Sequence, residues 1–353
     1  MSAVTTHSGA AGYGMRHRTL APPRQRSAYL LWMATVSVLC LAGLVMVLSA
    51  SSVASLASLG TPWYYFEHQA VYLCLGGIGF FAAQGMSVTL WRRLARPLML
   101  LTLLALAAVL VVGRSAGGAS RWLGSGAFQF QPSEMAKLAL VVFSADVLAR
   151  REGKRGWAYR AGPVVVIIAI LCVLIMKQPD MGTAVVICCT GAAVLFQAGM
   201  PVLPMLGLGV SGGLAGYMAA SSASYRAARL TSFLHPFAHA STTGYQSVQG
   251  LIALGAGHWT GSGIGQSLAS WGYLPNQYTD FIFAVIGQET GFAGSAALLA
   301  LFATVGVVGT RVALRAATTF ESLVAAGVTA WLVSQAVNPR VDSHFTVLRY
   351  SDT

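Results

Sequence analysis

Glu134 and Lys137 stand three positions apart. Asp180 sits between Pro179 and Met181-Gly182-Thr183, and Asp280 follows Thr279 at the head of a long apolar run. On a helix, residues at i and i+3 share a face, so Glu134 and Lys137 can pair. Such a pair either holds helices together or offers a cation to an anionic headgroup. In the second case the guanidinium of Arg121, after a glycine-rich turn, suits forked contacts to phosphate oxygens. Asp180 fits a helix N-cap. Asp280 fits one too, but it also closes the longest connection in the chain, and a carboxylate placed there can accept a proton from a nucleophile. On the residues alone both readings of each group stand.

Other constellations carry less. His235 and His239 have the four-residue spacing of helical metal ligands, but Pro236 lies between them and no third ligand is apparent. No metal site is therefore expected. The run from Gly255 to Gly263 is rich in glycine but lacks the lysine of a phosphate-binding loop. It reads as close backbone packing or a re-entrant turn. The serines of Ser49–Ser52 have no base partner in the sequence, so a nucleophilic triad is unsupported. Cys40, Cys74, Cys172, Cys188 and Cys189 lie in or beside apolar stretches without a CxxC spacing, the pattern of buried thiols rather than of a disulfide framework.

These groups must be held by membrane-spanning helices. Hydrophobic residues make up 56% of the chain and charged residues 9%, against about 25% charged in a soluble domain, and the mean hydropathy is +0.66. A polar surface cannot be built from that composition, which excludes a soluble enzyme, a collagen or a disulfide-rich secreted scaffold. The fold expected is an all-α polytopic bundle, since lipid-exposed backbone must satisfy itself. A span takes about 20 apolar residues, and nine candidates follow: Tyr29–Ser51, Gln69–Ser87, Pro97–Val112, Ser133–Ala149, Pro163–Met176, Met181–Gln197, Val202–Ala220, Phe281–Gly309 and Leu323–Val337. Residues 1–28, with Arg16, Arg18, Arg24 and Arg26, read as a disordered basic cytoplasmic tail, 29–337 as the membrane domain and 338–353 as a polar tail.

The net charge of +12 sorts by side rather than pointing to nucleic acid. With the N-terminus in the cytoplasm, fourteen lysines and arginines fall on the inner segments and five on the outer ones, as the positive-inside rule requires. The outer segments then include 113–131 and a long loop from about Ser221 to Asp280, in which Gly244–Gly265 suits a short interfacial helix. Of the ten acidic residues, those available for chemistry on the outer side are Glu67, Glu134, Asp180, Asp280 and Glu289. Ionisable groups at membrane depth are costly and mark function by default.

At these residues the chain resembles the SEDS family of membrane proteins (shape, elongation, division and sporulation), of the FtsW/RodA type. The stretches that carry the resemblance are MVLSASS at Met46–Ser52, GASRWLGSGAFQFQPSEMAK at Gly118–Lys137 and QPDMGTA at Gln178–Ala184. Two more are YQSVQGLIALGAGHWTGSGIGQS at Tyr245–Ser267 and YLPNQYTDFIFAVIGQETGFAG at Tyr273–Gly294. They occur in the family's order, and the wording is closer to FtsW than to RodA. Three positions depart from the family's pattern: Asn276 where glutamate is common, Tyr278 for histidine and Gln288 for the first of two glutamates. After Val337 the chain reads NPRVDSHFTVLRYSDT in place of the family's tenth span and its proline- and glycine-rich turn, as expected of a truncated or frameshifted product.

The resemblance implies a peptidoglycan glycosyltransferase that polymerises lipid II, an undecaprenyl-pyrophosphate-linked disaccharide-peptide, in the bacterial plasma membrane at the division septum. Its implied partners are a class B penicillin-binding protein and other divisome membrane proteins, with no nucleic acid. The family's catalytic aspartate corresponds to Asp280. Substrate contacts are expected from Arg121, Gln131, Ser133, Glu134, Lys137, Asp180, Arg226, Arg229 and Glu289. Arg121, Lys137, Arg226 and Arg229 would face the leaving pyrophosphate, a role a divalent cation, magnesium or manganese, can share. A lipid II flippase and a non-catalytic divisome scaffold are the alternative readings.

Overall fold

A computed structural model describes residues 23–116, 119–125, 128–153, 156–221, 236–239, 245–267 and 281–337. Among the described residues ten α-helices carry the fold: α1 (Pro23–Leu59), α2 (Tyr64–Gly85), α3 (Val88–Val112), α4 (Pro132–Arg150), α5 (Trp157–Lys177), α6 (Met181–Gln197), α7 (Val202–Ser221), α8 (Tyr245–Ala256), α9 (Ile282–Leu314) and α10 (Thr319–Val337). Each of the nine expected spans coincides with a helix, and α8 falls inside the stretch expected to hold a short one. Five helices (α1, α3, α5, α9 and α10) are long and apolar enough to cross a membrane by length and composition. The chain is a multi-pass membrane protein.

Helix ends depart from the apolar runs in a consistent direction. α1 begins at Pro23, inside the stretch expected to be a disordered tail, and α5 begins at Trp157 rather than Pro163. α9 runs on through Arg311 to Leu314. An apolar window stops at the first charge, whereas a helix continues into the interface, where long cationic side chains reach water. Ser87 caps α3 by accepting from the Leu90 backbone amide at 3.2 Å, and Pro132 occupies the first turn of α4, where its missing N–H costs nothing.

The bundle is all-α as expected, with one small addition. Between α3 and α4 lies a three-stranded antiparallel sheet, β1 (Arg114–Ala116), β2 (Ala119–Ser125) and β3 (Phe128–Phe130), in the order β1-β2-β3. Trp122 stands opposite Arg114, and Leu123 opposite Phe130. Gly117-Gly118 and Gly126-Ala127 separate the strands in the sequence, and a glycine pair such as the first is a hairpin signal between short strands. At three to seven residues the strands are too short for alternation to be seen in a hydropathy profile.

α4 is the most enclosed helix, buried along nearly its whole length against α3, α5, α6 and α10. One apolar cluster joins Val142, Ala145 and Leu148 of α4 to Val194, Phe320 and Leu323. A second joins Ala136 and Leu140 to Leu106, Leu171, Ile175 and Ile187. Gly327 lets α10 approach this core, because a Cβ there would lie 2.8 Å from Val194 and 2.9 Å from Val141. A third cluster, Met46, Ala50, Ala253, Ala284 and Val285, packs α1, α8 and the start of α9 together.

The two ends of the bundle differ in chemistry. At one, Asp146 is 1% exposed and ion-paired to Arg92 at 3.0 Å and Arg150 at 2.7 Å, and the Arg92 guanidinium stacks over Phe320. At the other lie the small sheet, the α5–α6 turn, and the first turns of α4 and α9.

Candidate functional site

The sheet end gathers most of the residues singled out by type and spacing. β3 leads into α4 through Gln131, whose extended backbone places it as N-cap. Its side-chain amide donates to Ser133 Oγ at 2.9 Å, and both residues are buried. One turn on, Lys137 Nζ lies 2.8 Å from Glu134 Oε1, the i,i+3 pair expected from the spacing. Lys137 is fully buried and Glu134 is 18% exposed. The ammonium also stands 5.6 Å from the centre of the Trp331 ring on α10, an aromatic face that favours a cation. A buried ammonium survives only with such compensation.

Asp180 is the N-cap of α6. It is 4% exposed and accepts from the Thr183 backbone amide at 3.3 Å and from Thr183 Oγ1 at 2.8 Å. Beside it, buried Gln178 donates to the Leu106 carbonyl at 3.3 Å and ties the α5–α6 turn to α3. The capping reading of Asp180 is therefore realised, with both carboxylate oxygens engaged by one threonine.

Glu289 lies in α9, 1% exposed. Ser49 Oγ of α1 is 2.7 Å from each of its carboxylate oxygens and accepts from the Gly265 amide at 3.0 Å. The backbone amides of Gly265 and Ser267 also lie within hydrogen-bonding reach of the carboxylate. Next to it, Ser267 Oγ donates to Gln288 Oε1 at 2.5 Å, and Gly263 N donates to the Glu289 carbonyl at 3.0 Å. The helix breaks two residues later, at Gly291 with φ 69° and ψ −166°. Only glycine adopts that backbone at low cost, and the break lets Phe292 N and Ala293 N donate to the carbonyls of His258 and Trp259. The glycine-rich run is thus close backbone packing, as its composition suggested.

Ser49 is the residue that sequence reasoning missed: its carboxylate partner is 240 positions away. Its place in the MVLSASS stretch was the one available signal. Arg121 lies within β2. Asp280, Arg226, Arg229 and His235 lie outside the described residues, while His239 ends a 3₁₀ turn, Pro236–His239. Among the described residues no group of three or more histidine, cysteine or acidic side chains could hold a metal ion.

With this geometry in hand, the comparisons with known proteins decide the family. The FtsW/RodA/SpoVE model, described as cell cycle protein, matches residues 29–340. The chain belongs to that family. Among curated members, the probable peptidoglycan glycosyltransferase FtsW of Aliivibrio salmonicida is 40% identical over 286 residues, covering 80% of this chain and 70% of that one. Stage V sporulation protein E of Bacillus subtilis is 35% identical, covering 84% and 81%. Among solved structures, a chain from a peptidoglycan synthase complex that coordinates polymerization and crosslinking superimposes with a TM-score of 0.69 at 28% identity, over 88% of this chain and 84% of that one. RodA of Thermus thermophilus superimposes with a TM-score of 0.55 at 28% identity, covering 83% and 81%.

Proposed function

We propose that this protein is a peptidoglycan glycosyltransferase that polymerises lipid II for septal wall synthesis. The observation that carries the reading is a fully buried lysine, Lys137, held at the sheet end of a membrane bundle by Glu134 and Trp331. It lies within one of the stretches by which the chain resembles glycosyltransferases. A lysine kept at such cost suits an anionic substrate delivered from the lipid phase. In this reading the N-terminus is cytoplasmic and the sheet end faces outward, the side on which strands are built. A class B penicillin-binding protein binds the bundle and cross-links the product.

In the reaction, the acceptor hydroxyl attacks the anomeric carbon of the donor sugar. The bond from that carbon to the pyrophosphate oxygen breaks, and the lipid pyrophosphate leaves with the electron pair. Asp280 takes the hydroxyl proton, a step worth about 10²–10⁴ in rate for a positioned base. Lys137, Arg121, Arg226 and Arg229 face the charge that develops on the leaving group, and a magnesium or manganese ion carried by the pyrophosphate can add to theirs. Gln131 and Ser133 orient the headgroup at the start of α4. One base and direct displacement invert the anomeric centre, turning an α-linked donor into a β-linked strand.

Purified protein supplied with labelled lipid II tests this. Glycan polymer is expected. Headgroup translocation across liposomes without polymer would make the protein a flippase, and neither activity, with partner binding retained, would make it a scaffold.

A further inference from the structure

The Ser49–Glu289 contact joins three elements about two turns into α9. α1 supplies Ser49, α9 supplies Glu289, and the turn after α8 supplies Gly265. The same turn is bonded to α9 again through Ser262 N and Oγ to the Gln288 carbonyl, at 2.9 and 3.1 Å, and through Ser267 Oγ to Gln288 Oε1. The contact is close throughout: a Cβ on Gly261 would overlap the Glu289 carbonyl, and Gly261 itself has φ 80°. Nearer the start of α9, Gly250 of α8 leaves room for the Phe281 ring, which a Cβ there would meet at 2.9 Å. Asp280 directly precedes Phe281 in the chain.

A buried carboxylate in this setting has little capacity left for a ligand. Ser49 Oγ spans both oxygens and two backbone amides face them. Charge-assisted hydrogen bonds of this kind are roughly twice as strong as neutral ones. A network in which each member is satisfied rigidifies its surroundings. Catalysis by a general base depends on such rigidity, because a misplacement of about 1 Å can cost on the order of 10²-fold in rate.

We infer that Glu289 is a positioning residue rather than a substrate ligand: with Ser49 it clamps α1 and the turn after α8 onto the first turns of α9, and so fixes the helix start to which Asp280 is joined. The inference rests on the glycosyltransferase reading above for what is positioned, but the clamp itself is a property of the described residues.

The test is a double-mutant cycle in the full chain, read in kinetics and in hydrogen exchange. Ser49→Ala is expected to lower kcat about tenfold while KM for lipid II stays within about twofold, the signature of a loss confined to the transition state. Ser49→Thr, which keeps the hydroxyl, should restore most of the rate. Ser49→Ala combined with Glu289→Gln should be no slower than Glu289→Gln alone, because both remove one interaction. Amide exchange across residues 257–267 should speed up in Ser49→Ala and recover in Ser49→Thr. A Ser49→Ala protein with wild-type kcat and wild-type exchange would overturn the clamp. So would a Glu289→Gln protein with raised KM and losses that add to those of Ser49→Ala, since that places Glu289 on the substrate. If the unmutated protein makes no polymer, the glycosyltransferase reading falls, and the exchange measurement still decides the clamp.

Discussion

Lys137 Nζ and Glu134 Oε1 meet at 2.8 Å with the lysine fully enclosed and the glutamate still 18% exposed. The asymmetry separates two roles for the pair. If it only held helices together, uncharged side chains in place of both members would serve as well or better, since buried ion pairs are often replaced as a whole at no cost in stability. If the ammonium meets an anionic substrate, the same change removes function.

Lys137→Met made together with Glu134→Gln is therefore expected to keep thermal stability in detergent close to that of the unmutated protein, because no unpaired charge is left behind. Its polymerisation rate should fall about 10²-fold, the usual scale for losing one preorganised group that stabilises developing charge. A folded double variant with full activity would assign the pair to structure alone.

At the opposite end, Asp146 pairs with Arg92 and Arg150, whose side chains are 35% and 50% exposed. Asp146→Ala leaves two arginines that water can solvate, so the cost should be about 1–2 kcal/mol, below the roughly 3–5 kcal/mol for stranding a fully buried charge. Thermal unfolding in detergent measures it, and the rate per folded molecule should not change, since this cluster lies at the far end from the proposed chemistry.

Gly327 offers a packing test. A valine there meets Val141 and Val194 on α4 and α6, and overpacking of this kind costs about 1–3 kcal/mol. Gly327→Val should unfold at lower temperature, whereas Gly306→Ala, facing only Val333 at 3.3 Å, should shift it far less. Equal unfolding temperatures would show that α10 is not seated on the α4 core.

Much of the fold is legible in the sequence. The helices at the nine expected spans were readable because a membrane helix must be long and apolar, and five of them meet that criterion outright. The Glu134–Lys137 pair and the Asp180 cap were readable because both are local, set by helix geometry over three residues. The small sheet was not, since Arg114–Ala116 and Phe128–Phe130 are each shorter than a hydropathy window. Nor was the partner of Ser49: the residues that bond it, Gly265 and Glu289, are brought close only by the packing of α1, α8 and α9. Nor was the burial of Asp146, which is neutralised by Arg150 of α4 and by Arg92 of α3, the second a pairing that only the packing of the two helices reveals.

Orientation can be checked by labelling. In a cysteine-free background, Ser241→Cys, in the segment between α7 and α8, should react with an impermeant maleimide added to intact spheroplasts. Reaction only after permeabilisation would place the sheet end in the cytoplasm and reverse the proposed topology.

The central assignment is Asp280 as the base, and Asp280→Asn measures it most directly. Asparagine keeps the side-chain shape and can still accept a hydrogen bond at a helix start, so a capping role would survive with a loss of a few tenths of a kcal/mol to about 1 kcal/mol. It cannot take the acceptor's proton, so single-turnover polymerisation of labelled lipid II should fall by about 10²–10⁴ with folding and partner binding intact. A variant that polymerises at close to the unmutated rate would make Asp280 a cap and remove it from the chemistry.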